Sequence, residues 1–207
     1  MDQLRSRRVL RTATFTLFLK PTGRPDVFFG NLILGGVDPT KYVIPLRYVL
    51  LLSIDDYVVE LRSLSIQAGE TTLGINQRAT IHTGDKYIGI PQPHFAVMAK
   101  QLASAASTIR GSVVDIKWDE EEEVYRMECS SRIFMPTLTF NLGPNGGVPL
   151  EISFKGYVRK YAGDRLCTVM ITEVADDSWE LSACALVGNY IEYQPIEMKL
   201  GIAKLKP

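Results

Sequence analysis

The sequence lacks a surplus of either charge: Lys plus Arg total 23, Asp plus Glu total 23, and the formal net charge is zero. A chain without net charge presents no global field to a polyanion, so nucleic acid is not expected as a partner. It also lacks any run approaching the ~20 apolar residues that cross a bilayer as a helix, so no membrane association is expected. Histidine is scarce, at 2, and cysteine is limited to 3. An odd number leaves at most one pair plus a free thiol, and composition alone favours three reduced, buried thiols. No Pro/Ser-rich linker and no internal repeat interrupts the 207 residues, which read as a single domain spanning 1–207. The basic start (Arg5, Arg7, Arg8, Arg11) with the short apolar stretch 15–19 imitates a secretory signal. Lys20-Pro21 ends that stretch too early, so no export signal is expected in it. The basic start and the acidic run 119–123 are read as solvated faces or loops.

What the sequence does have is strand periodicity. Residues 14–19 alternate in part and are rich in β-formers, 23–26 (Gly-Arg-Pro-Asp) read as a turn, and 28–34 as the returning strand. Further strands are expected over 46–52, 57–66, 71–75, 124–129, 137–142, 150–154, 167–172, 185–193 and 199–205. Asn145-Gly146-Gly147 marks a tight turn. One stretch, 93–104, has helical spacing, with Phe95, Met98, Ala99 and Leu102 on one face and Pro93 in its first turn. Many short strands around one helix predict a mainly β barrel or sandwich.

Four segments, in order, resemble the C-terminal lobe of pepsin-like aspartic peptidases. They are Phe15-Thr16-Leu17-Phe18-Leu19 with Leu34-Gly35-Gly36-Val37-Asp38; the stretch 46–66 with Tyr48-Val49 and Tyr57; Ile81-His82-Thr83-Gly84 with Ile90-Pro91; and Trp179-Glu180-Leu181 through Asn189-Tyr190 to Leu200-Gly201-Ile202-Ala203. The resemblance implies a single pepsin-like lobe, half of an acid-protease β-barrel pair, mainly β with one or two short helices and without the N-terminal lobe. It also implies a disulfide between Cys129, ahead of Met135-Pro136, and Cys167, after Tyr157-Val158, with Cys184 left free. The family is secreted or lysosomal/vacuolar, which fits a disulfide and conflicts with the missing signal.

Enzymes of this family work with two carboxylates, one from each lobe, that share a proton across a water; like groups that close split their pKa values. The resemblance places His82 where the family has Asp, and Asp85 and Lys86 where it has small hydroxyl residues. Imidazole, with a reference pKa of about 6.5, is a cation at acidic pH and cannot share a proton in that way. The opposing stretch Glu180-Leu181-Ser182-Ala183 stands where two aliphatics, Gly and Asp are expected, and Ser182 adds a side chain where the backbone should pass close under the loop. No catalytic residue is therefore assigned: His82, Thr83 and Gly84 form a degenerate active-site loop. His82, His94 and Asp85 match no tight zinc spacing, and no Gly-x-Ser-x-Gly elbow occurs, so neither metal nor cofactor is expected.

The implied function is an inactive aspartic endopeptidase-like lobe acting as a peptide-binding or structural module. The alternative is the C-terminal half of a split or truncated endopeptidase completed by a separate N-terminal lobe. Strands over 14–19, 191–193 and 200–205 are expected to form only half of a shared sheet. Its open edge would take a second copy of the chain or that separate lobe.

Overall fold

Strand β4 (Val58–Ile66) shows how the core is assembled. Val59, Leu61, Leu64 and Ile66 all face inward, although the step from Leu61 to Leu64 breaks the two-residue alternation of a strand. A β-bulge resolves the conflict: the register shifts between Leu61 and Ser63 against both neighbours, so one extra residue is absorbed and the apolar face is kept. Beside it, β9 (Leu138–Leu142) alternates without interruption, with Leu138, Phe140 and Leu142 buried and Thr139 and Asn141 turned outward.

The computed structural model describes residues 3, 6, 7, 9–21, 28–67, 71–144 and 147–207. Arg5, Arg8, the turn at 23–26 and Asn145-Gly146 lie outside them. The architecture is mainly β, in three sheets. The largest has seven strands in the order β10 (Val148–Ile152), β9, β4, β5 (Thr71–His82), β14 (Trp179–Ser182), β6 (Ile88–Pro91) and β13 (Ile171–Val174); the second has five in the order β2 (Phe28–Leu34), β1 (Phe15–Pro21), β15 (Asn189–Gln194), β16 (Lys199–Lys204) and β3 (Arg47–Leu50); the third has four in the order β11 (Val158–Arg159), β12 (Leu166–Val169), β8 (Val124–Glu128) and β7 (Ile116–Asp119). In the first sheet β14 (Trp179–Ser182) inserts between β5 (Thr71–His82) and β6 (Ile88–Pro91), parallel to β5 and antiparallel to β6. A continuous apolar cluster runs from Val49 through Leu64, Phe140 and Trp179 to Ile202 and joins the sheets.

Several elements depart from the sequence expectation. The helix is not short: α1 spans Gln92–Arg110, 19 residues, with Ala105 and Ala106 extending the buried stripe of Phe95, Met98, Ala99 and Leu102. Ser107 and Thr108, poor helix residues in sequence, are accommodated because their hydroxyls donate back to the Ala103 and Ser104 carbonyls at 2.7 and 3.1 Å. The helix stops at Gly111, whose φ of +73° allows its N–H to close on the Ser107 carbonyl at 2.9 Å. Strand β5 continues to His82 through Asn76, Gln77 and Arg78, polar residues that concealed it. The stretch 167–172 is two strands, β12 (Leu166–Val169) and β13 (Ile171–Val174), in different sheets. The stretch 185–193 is split by Gly188 into a short helix (Ala183–Leu186) and β15 (Asn189–Gln194). The acidic run forms the turn between β7 (Ile116–Asp119) and β8 (Val124–Glu128). There Arg126 gathers Asp119, Glu122 and Asp164.

The open edge also lies elsewhere than expected. Strands β1 (Phe15–Pro21), β15 and β16 (Lys199–Lys204) form the middle of the five-stranded sheet, and its edges are β2 (Phe28–Leu34) and β3 (Arg47–Leu50). Both faces of the middle strands are covered. Phe15 stacks on Tyr193 at 4.5 Å toward the main core, while Phe18, Tyr42, Tyr190, Ala203 and Leu205 form a second cluster on the other side. The Leu34-Gly35-Gly36-Val37-Asp38 segment closes over that second cluster. The Asp38 N–H donates to the Tyr190 hydroxyl at 2.7 Å, and the Asp38 carboxylate accepts from the Thr40 N–H and hydroxyl, which holds its pKa below the usual value.

Burial raises the pKa of the Tyr157 and Tyr193 hydroxyls above the ordinary 10.0, and it pushes the Cys184 thiol up to about 11. Unfolded, these groups release their protons at the ordinary values; folded, they hold them to higher pH. The folded state thus binds more protons above pH ~9–10, so stability is intact below that range and falls as pH rises through it. Alkaline titration followed by circular dichroism and tyrosinate absorbance is expected to show unfolding and ionisation of these tyrosines in one transition. Ionisation with the fold intact would contradict it.

Candidate active site

The loop singled out in the sequence, residues 82–86, leaves the end of β5 and is held from beneath by β14. The two strands run parallel with Leu181 opposite Ile81 and Ser182 opposite His82. The expected crowding from Ser182 does not arise. Its side chain is fully buried and its hydroxyl donates to the Lys86 carbonyl at 3.2 Å, while the next residue, Ala183, donates its N–H to the Asp85 carbonyl at 3.3 Å. The last residue of β14 and the one that follows it thus satisfy two successive carbonyls of the loop and fix its path.

His82 stands on this support half exposed. Its Nδ1 lies 2.7 Å from Asp85 Oδ2, so Asp85 pairs with His82 rather than with Lys86. With the carboxylate ionised, Nδ1 is the donor in this pair. Gly84 lies directly against the ring: a β-carbon there would approach Nε2 to 3.2 Å, so the absence of a side chain lets the imidazole settle over the turn. The arrangement is an imidazole oriented by a carboxylate three residues on. Among the described residues Asp85 is the carboxylate paired with it.

The other candidates disperse. His94, near the start of α1, packs its ring 5.6 Å from Trp179, whose Nε1–H donates to Gln77 Oε1 at 2.9 Å. Among the described residues no three His, Cys, Asp or Glu side chains gather in a metal-binding group. Cys129, opening a 3-10 helix over Cys129–Phe134, is bonded to Cys167 on β12, with Cα atoms 4.9 Å apart, and Cys184 is a buried free thiol. Sequence reasoning missed the bond from Ser182 to Lys86 and the pairing of Asp85 with His82. The i,i+3 spacing of the latter was a usable signal; the former depends on a contact across about a hundred residues and leaves no local trace.

Three sheets joined through one apolar core, with the loop after a long strand carried by a parallel strand from late in the chain, define an aspartic-peptidase type of lobe. The chain belongs to the eukaryotic aspartyl protease family, whose family model matches residues 1–205. It is similar to a renin of Echis ocellatus, 25% identical over 207 residues that cover 98% of this chain and 48% of the renin. Renin-2 of Mus musculus is 25% identical over 211 residues with the same coverage, and cathepsin D of Clupea harengus 23% over 212 residues, 98% of this chain and 49% of the cathepsin. The chain thus spans about half the length of the curated relatives it matches.

Proposed function

We propose that this chain is a catalytically inactive aspartic endopeptidase-like lobe that serves as a peptide-binding or structural module. The observation that carries this reading is His82, tied to Asp85 at 2.7 Å, at the position where the resemblance calls for a carboxylate. A proton-sharing carboxylate pair activates water because each member is base while the other is acid, and an imidazole in one place removes that symmetry. Purified chain is expected to show no hydrolysis of denatured globin at acidic pH, with or without an aspartic-peptidase inhibitor. The single variant His82→Asp is expected to remain inactive, because the partner carboxylate belongs to the other lobe. Inhibitor-sensitive turnover by the unmodified chain would sink the proposal.

One observation favours pairing with a further chain, either a separate N-terminal lobe or a second copy: edge strand β2 exposes Phe29 at 60%, Leu32 at 59% and Leu34 at 44%. An apolar edge with unpaired backbone groups is a template for strand addition. Light scattering coupled to size exclusion is expected to report a dimer for the isolated chain and a monomer for Phe29→Lys/Leu32→Lys. Phe15 and Phe18 are unsuitable probes because both lie inside packed clusters. A monomer at every concentration, unaltered by the β2 substitutions, would overturn self-pairing.

A further inference from the structure

We propose that edge strand β3 and the hollow at its start form a docking site for the C-terminal end of an extended polypeptide, with a free carboxylate on an apolar last residue. β3 pairs antiparallel with β16, with Arg47 opposite Ile202 and Leu50 opposite Lys199. Among the described residues no strand pairs with its other side, and no backbone hydrogen bond of residues 47–50 reaches beyond β16. The side chains alternate: Val49 and Leu51 are buried in the main core, whereas Tyr48, Leu50 and Leu52 are exposed at 45%, 61% and 54%. An open row of backbone groups flanked by exposed apolar side chains is a template for an added strand. A hollow of about 320 Å³ lies at the start of β3, beside β10 and β16. Val43, Ile44, Pro45 and Pro149 give it an apolar wall, and Arg47 stands exposed in its lining. The other two charges of the lining compensate each other, with Lys204 Nζ 3.3 Å from Glu151 Oε2. Arg47 has neither an ion pair nor a hydrogen bond among the described residues, so its charge is uncompensated.

Strand direction selects the ligand. A strand added antiparallel to β3, the sense in which β16 already pairs, runs its C-terminal end toward Arg47. Its last residue then meets the hollow. The apolar side chain covers the wall of Ile44 and the two prolines, and the carboxylate meets a guanidinium that can take it in two parallel bonds. Every second residue further back lies on the same face as Tyr48 and Leu50. An inorganic anion would satisfy Arg47 and leave the apolar row bare; an amidated chain end would cover the row and leave the guanidinium unmatched. The site is separate from the loop 82–86 and from β2, so it holds whether or not the chain cleaves peptides or pairs through β2.

The experiment is an amide-resolved NMR titration of the isotope-labelled chain with a short acetylated peptide of alternating threonine and valine that ends in leucine. The peptide is used as the free acid and as the C-terminal amide, with acetyl-leucine as the chain end alone. The free acid is expected to shift the amides of residues 46–51 saturably, and the amide to bind at least about tenfold more weakly, the worth of a bond to a charged group. Acetyl-leucine, which cannot add a strand, is expected to bind at least about tenfold more weakly than the free-acid peptide. Arg47→Glu is expected to weaken the free acid at least about tenfold and to leave the melting temperature unchanged, because Arg47 is exposed and unpaired. The comparison of acid with amide needs no variant and decides the matter on the unmodified chain. Absence of saturable shifts at 46–51, equal binding of acid and amide, equal binding of acetyl-leucine and peptide, or indifference to Arg47→Glu would overturn the proposal.

Discussion

Loss of the bond between Cys129 and Cys167 is expected to lower stability by about 3–4 kcal/mol, the chain-entropy value for a closed segment of this size, with a sequence separation of 38. The segment it closes carries the 3-10 helix, the β9–β10 hairpin and strand β11, so it reaches all the way from the four-stranded sheet to the seven-stranded one. Cys167 is fully buried, so reduction also leaves a thiol where the core is dense. Urea unfolding of the oxidised chain, the reduced chain and Cys129→Ser/Cys167→Ser measures the difference directly. Equal midpoints for oxidised and reduced chains would show that the bond does nothing for stability.

Trp179→Ala is expected to cost about 3–5 kcal/mol, the range for emptying a fully buried large aromatic site. Trp179 has no exposed surface, contacts Phe140 edge-on at 6.1 Å and His94 at 5.6 Å, and accounts for the bond to Gln77. Removing it opens a cavity and also deletes the bond to the half-buried Gln77 amide oxygen. Trp179→Phe, which keeps most of the volume, is expected to cost clearly less. Because Ser182 sits three residues on along β14, the Ala variant is also expected to speed amide exchange across residues 83–87. Unchanged exchange there would separate the loop from the strand beneath it.

How much of this was legible before the structure depended on how local each cause is. Strand β9 reads directly, because its alternation is unbroken and Leu138, Phe140 and Leu142 all point inward. The last turns of α1 do not, since Ser107 and Thr108 lower helix propensity and only the Ala105-Ala106 stripe packed on the core restores it. The middle position of β1 in its sheet was equally hidden. Its neighbour β15 lies some 170 residues away, and nothing in Phe15 to Leu19 says that both flanks will be occupied. The degenerate loop was visible as residue types at His82, Asp85 and Lys86. Which carboxylate would meet which base needed the geometry of the turn itself.

The insertion of β14 between β5 and β6 sets a timetable for synthesis. As the chain is made, β5 and β6 are complete long before residues 179–182 exist, yet they are not each other's neighbours in the finished sheet. The five-stranded sheet has the same dependence: β16, last of all, fills the gap between β15 and the early strand β3. Until then the early strands expose unpaired edges and the apolar faces of Ile81, Ile88 and Val49, the state in which a nascent chain is most exposed to wrong partners. Any interruption upstream of Trp179 therefore yields a product with two sheets open at their centres rather than a smaller version of the same lobe.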